Sequence, residues 1–118
     1  PSNTPLVCTA RLVYLQDLTI PDNSVVAPGS TLDKRWSVQN SGTCDWDQNY
    51  SLRLIQGESM GVEEMPLYPA RSGTQAQIQM DLTAPATPGW YNSTWQAIDP
   101  DGTPFGDPLT IIIFVQQP

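Results

Sequence analysis

From Thr74 to Leu82 the chain alternates: Ala76, Ile78, Met80 and Leu82 stand between Gln75, Gln77, Gln79 and Asp81. Side chains of a strand point to opposite faces in turn, so this period predicts a strand with one dry and one wet face. "TLDKRWSVQN" repeats the pattern, with Leu32, Trp36 and Val38 on one face and Lys34 interrupting it. "YSLRLIQ" sets Tyr50, Leu52 and Leu54 against Arg53, and "WYNSTWQA" puts Tyr91 and Trp95 on one face. "ARLVYL" supplies another strand near the start. "LTIIIFV", Leu109–Val115, is apolar on both faces, which predicts a central or doubly covered strand. No segment sustains an apolar 3.6-residue period long enough for a helix. Turn formers separate the runs: "PDN", "APGS", "NSGT", "QGES", "PARSGT", "APATPG" and "DPDGT". About seven short strands at roughly ten-residue spacing predict an all-β, Ig-like antiparallel β-sandwich. A chain of 118 residues suits one such domain.

The core of a two-sheet sandwich is only about 10 Å thick, and bulky rings fill it efficiently. Trp36 and Trp95 lie mid-strand, with Tyr91 on the face of Trp95, so all three are expected in the core. Trp46 follows a turn and is expected to plug one end of the sandwich. Beside it stands Cys44, one of two cysteines. An even pair without extras fits an oxidising compartment, which favours a Cys8–Cys44 disulfide over two separate buried thiols. Such a bridge would staple the N-terminal strand to the end that Trp46 closes. Lys34, the single lysine, is expected to pair with a carboxylate or to extend to the sandwich edge.

Charge narrows the partners. Twelve acidic residues against five basic ones give a net charge of −7. Such a surface repels phosphate backbones and anionic headgroups, which argues against nucleic acid and against direct membrane insertion. "LTIIIFV" is far too short to span a bilayer as a helix. The opening "PSNTP" reads as the end of a Pro/Ser/Thr linker over residues 1–7, followed by one domain over 8–116. The expectation is a piece of a secreted or surface-anchored protein whose signal or anchor lies outside this stretch.

Little in the chain suggests chemistry. It has no histidine, which removes the commonest general base. Asp45/Asp47 and Asp99/Asp101 form acid pairs that would serve glycoside hydrolysis only across a suitable cleft; Asp in a turn more often bonds its own backbone. "DPDG" has the start of a calcium loop but lacks the glutamate the full spacing requires. No catalytic residue, cofactor or metal is therefore expected. Trp90 adjoins Tyr91 in a strand and so points outward if Tyr91 points in. It then either offers a contact to a partner or covers the last strand, where Thr110 leaves room for a ring.

Together, "TIPDNSVVAPGSTLDKRWSVQNSGTCDW", "LTAPATPGWYNSTWQAIDPDGTPFG" and the apolar last strand resemble the four-tryptophan (FW) domain. This is the Ig-like central domain of the neighbour-of-BRCA-one autophagy receptors, which also occurs in bacterial proteins. The resemblance runs from about Cys8 to Val115 and rests on the APG turn, K-x-W, N-x-G-x-x-x-W, APxxxGxYxxxW and D-G-x-x-FG. It matches three family tryptophans to Trp36, Trp46 and Trp95; the fourth would stand at Thr110. The cysteine pair resembles the bacterial branch, whose members follow Pro/Thr-rich linkers on secreted or surface proteins. In the receptors the domain is implied to bind protein cargo.

The resulting expectation is a non-catalytic extracellular protein-interaction module. Its expected contacts are Trp90, Asp45, Asp47, Asp99, Asp101 and Phe105, on end loops and one sheet face. A carbohydrate-binding module and a passive spacer are the alternatives. The partner's identity and the oligomeric state are left open.

Overall fold

A computed structural model describes residues 8–117, so the expected linker at 1–7 lies outside the described residues. The alternating segments form strands, and among the described residues there is no helix. Eight strands follow in order: β1 (Val13–Asp17), β2 (Ser24–Val26), β3 (Thr31–Gln39), β4 (Ser51–Gln56), β5 (Glu64–Pro66), β6 (Gln75–Thr83), β7 (Gly89–Ile98) and β8 (Pro104–Val115). They make two sheets, ordered β1-β3-β6 and β2-β8-β7-β4-β5. Every pairing is antiparallel except β2 with β8. The expected Ig-like sandwich is thus present. The count exceeds seven because β2 and β5 are three residues each, too short to show a period.

Alternation translates directly into burial. On β3, Leu32, Lys34, Trp36 and Val38 point inward; on β6, Ile78, Met80 and Leu82 do. The two strands pair without interruption, placing Trp36 opposite Ile78 and Leu32 opposite Leu82. Leu52, Trp95, Leu109, Ile111, Ile113 and Val115 face them from the second sheet. "LTIIIFV" lies inside that sheet, with β7 on one side and β2 on the other. The strand also begins earlier, at Pro104, because the Asp99–Thr103 turn folds it straight back on β7.

Trp36 and Trp95 meet across the layer with ring centroids 6.1 Å apart. Each indole N–H donates to a backbone carbonyl: Trp36 Nε1 to Thr110 O at 3.1 Å, and Trp95 Nε1 to Val62 O at 2.9 Å. A buried indole therefore fills the layer without stranding its one donor. Lys34 is fully buried, and its Nζ donates to Asp17 Oδ1 at 3.1 Å and to the carbonyls of Thr19 and Ile20 at 2.9 Å each. The ammonium also lies 5.3 Å from the Trp36 ring centroid. Of the two expected options, pairing with a carboxylate is the one adopted.

Cys8 and Cys44 are disulfide-bonded. Around the bridge, Thr43 N donates to Thr9 O at 2.9 Å and Thr9 N to Thr43 Oγ1 at 2.8 Å. The chains approach so closely that a Cβ on Gly42 would strike the Thr9 carbonyl oxygen. Asn40, fully buried, ties the loop inward: its Nδ2 donates to Cys44 O at 2.8 Å and Ala70 O at 3.0 Å. "NSGTCDW" carries a cysteine and a tryptophan because it closes one end of the sandwich.

Candidate functional site

The residues expected at a contact surface fall into two separate regions. At the closed end, Trp46 is buried and pairs its backbone with Ala70. Phe105 packs 6.4 Å from Trp46 and 5.9 Å, edge-on, from Tyr50. Phe105 is partly buried in this aromatic group and braces the end, rather than standing free as a contact ring.

The acid pairs come together at that same end. The disulfide, Ala10, Tyr50 and the Asp99–Asp101 turn line a cleft of about 380 Å³. Burial, then the charges of Asp47, Asp99, Asp45 and Asp101, push the Tyr50 phenol above its ordinary value. Three of these carboxylates are occupied by loop backbone N–H groups, two of them within their own turns. Asp45 Oδ1 accepts from Ser72 N at 2.8 Å and Asp47 Oδ1 from Asn49 N at 2.9 Å. Asp99 Oδ1 accepts from the N–H groups of Asp101 and Thr103, both at 2.9 Å. Among the described residues, no three His, Cys, Asp or Glu side chains gather as a metal cage would require. The arrangement supports turn-capping rather than proton transfer.

Trp90 lies far from this end. It is the second residue of β7, whose other end feeds the Asp99–Thr103 turn, about 25–30 Å away at the usual rise of a strand. Its side chain is 63% exposed on the outer face of the five-stranded sheet. Directly opposite on β8 stands Phe114, with centroids 4.9 Å apart and planes at 50°. Phe114 in turn pairs with Val25 of β2, also 63% exposed. Three strands thus align one apolar row, Val25–Phe114–Trp90, with Ile112 partly exposed beside it. Trp90 does cover the last strand, but over Phe114 and not over Thr110. Thr110 instead meets Thr94, Oγ1 to Oγ1, at 3.2 Å. Tyr91, expected in the core, is only half-buried, and its hydroxyl donates to Thr87 O at 2.7 Å.

Sequence parity placed Trp90 outward but did not reveal the row. Phe114 lay within a run read as apolar on both faces, and Val25 lay in a strand too short to recognise. Asn40 was also missed; its position between a strand and a Gly-containing turn was the available signal.

A sequence profile described as the Ig-like domain from next to BRCA1 gene matches residues 19–115. The chain belongs to this family. Three relatives of this Ig-like domain illustrate its spread. Protein ILRUN of Danio rerio is 25% identical over 97% of the chain. The protein NBR1 homolog of Arabidopsis thaliana is 31% identical over 94%. Next to BRCA1 gene 1 protein of Homo sapiens is 25% identical over 92%. The chain spans 41%, 17% and 12% of these animal and plant proteins, respectively. The next-to-BRCA1 Ig-like domain is therefore one part of longer proteins, and Trp36, Lys34 and Trp95 lie inside the matched span here.

Proposed function

We propose that this domain is a non-catalytic protein-interaction module of a larger extracellular protein, secreted or surface-anchored and of the bacterial branch. Its partner is a protein, met through the outer face of the five-stranded sheet. The observation that carries this reading is the Val25–Phe114–Trp90 row: an exposed tryptophan and an exposed valine in register on either side of a partly exposed phenylalanine, on a regular face. Exposed tryptophan flanked by apolar side chains suits a protein contact, because indoles concentrate binding energy at such surfaces. A glycan platform would want coplanar rings, whereas Trp90 and Phe114 are tilted by 50°. The Cys8–Cys44 disulfide supports an oxidising location. The acid loops are left a lesser role, since three of their four carboxylates already accept backbone N–H groups of the chain's own loops.

The test is site-specific photocrosslinking on the native cell surface, with the crosslinker at position 90 or at position 101. Discrete protein adducts from 90 and none from 101 are expected. Adducts from 101 alone would move the contact to the acidic end. Quenching of Trp90 by a soluble glycan, without protein adducts, would replace a protein partner with a sugar.

A further inference from the structure

Each sheet has two edges, and three of the four are blunted. β2 and β5 are three residues long, and β5 ends on Pro66. β1 is bulged between Tyr14 and Gln16 and drawn toward β8, where Tyr14 N donates to Asp107 Oδ2 at 2.9 Å and Asp107 N to Leu12 O at 2.9 Å. Short length, proline and bulges are the ordinary means of stopping another strand from pairing. β6 has none of them. It is nine residues long, without proline, lysine or arginine, and keeps nine consecutive pairs with β3.

The direction of its free groups follows from the ladder. Ala84 N donates to Ser30 O at 2.8 Å and Asn40 N to Thr74 O at 2.9 Å. In an antiparallel pair the bonded positions alternate, so the even-numbered residues of β6 bond β3. The N–H and C=O groups of Gln75, Gln77, Gln79 and Asp81 therefore face outward along the edge. Thr83, next in that series, shows the effect: its N–H is taken up by Met60 O at 2.8 Å. Among the described residues, no such partner meets the backbone of the other four.

This edge fronts a cleft of about 520 Å³, lined by Tyr68–Arg71 together with Thr74–Gln77 and Gln79. Tyr68 is 62% exposed. Lys34, Arg35 and Arg53 each hold a carboxylate, but among the described residues none lies within ion-pair distance of Arg71. On a chain of net charge −7, the cleft thus carries a cation without a direct ion-pair partner among the described residues.

We infer that the free edge of β6 accepts an extended peptide of a partner protein as an added strand. An acidic side chain of that peptide sits on Arg71 and an apolar one on Tyr68. Main-chain bonds to Gln75, Gln77 and Gln79 supply affinity, and the two flanking side chains supply selectivity. A second copy of this chain fits less well, because pairing would bring together two surfaces of like net charge.

The test is to pan a phage-displayed dodecapeptide library on the whole chain and synthesise the enriched peptides. The expected winners alternate apolar and polar residues and share one Asp or Glu. They slow hydrogen exchange at the amides of Gln77 and Gln79, and lose affinity about tenfold in Arg71→Glu. Gln77→Pro, which removes one outward N–H, abolishes binding; should that variant not fold, the exchange data on the unaltered chain decide. The inference is overturned by absence of enrichment, by binders indifferent to Arg71→Glu, or by protection confined to the Trp90 row. It is equally overturned if Gln77 and Gln79 become protected in a concentration-dependent dimer without peptide.

Discussion

Replacing both Cys8 and Cys44 by serine should remove a large share of the margin that keeps this sandwich folded. The bridge joins residues 36 apart in sequence. Releasing a loop of that length returns about 13 cal/mol/K to the unfolded chain, or ~4 kcal/mol at 25 °C. Domains of this size have only about 5–15 kcal/mol in total. The melting temperature should fall by roughly 15 °C, at about 4 °C per kcal/mol. The native fold offers little to offset this. The hydrogen bonds between Thr9 and Thr43 are already formed in the bridged chain and gain nothing when it is cut. The assay is urea unfolding followed by tryptophan fluorescence, comparing oxidised protein, the same protein reduced, and the double variant. Reduced protein is the control for serine at position 44, which is buried and adds about 1 kcal/mol of polar burial. The reduced chain should lose ~4 kcal/mol, with a slightly steeper denaturant dependence as its unfolded state expands. A loss under about 1 kcal/mol would refute the loop-closure reasoning and leave the hydrogen bonds around Thr9 as the staple.

Three further outcomes follow from the core. Trp46 Nε1 is buried without a partner among the described residues, whereas Trp95 Nε1 holds Val62 O; phenylalanine at position 46 should therefore cost about 1–2 kcal/mol less than at position 95, read from urea midpoints. Asp17→Ala strands the buried Lys34 ammonium and should cost about 3 kcal/mol, whereas Lys34→Met, which removes the charge itself, should cost less than half of that. The Tyr50 phenol is held above 10.0 by burial and then by Asp47, Asp99, Asp45 and Asp101, so the folded state keeps this proton more tightly than the unfolded chain. That contribution is complete below about pH 10 and is lost as pH rises through the folded value; alkaline titration of stability should show a fall that Tyr50→Phe flattens.

The architecture was legible wherever a strand was long enough to display its period. β3 and β6 carry nine residues each, and their buried positions follow the alternation, Lys34 included; β7, with ten, breaks it by burying Ser93, Thr94 and Trp95 in succession. Three-residue strands cannot show a period at all. β2 and β5 exist because longer neighbours pair with them, which is a tertiary effect. Burial of Tyr91 was overestimated for a related reason. It shares a face with Trp95 but lies near the start of β7, where it packs only partly against the core and its hydroxyl reaches Thr87.

Surface chemistry was less legible, because parity says which side chains point outward but not which of them stand together. Trp90 was readable alone. Its row needs two registers at once, Trp90 against Phe114 and Phe114 against Val25. The same registers hold Ile113 and Val115 in the core. A slip of one residue in β8 would turn Phe114 inward and expose those two side chains, so the pairing that seals the interior also sets the outer row. Core and contact surface are therefore coupled through β8. A substitution that loosens its inner face should disorder the row without touching any of its three side chains.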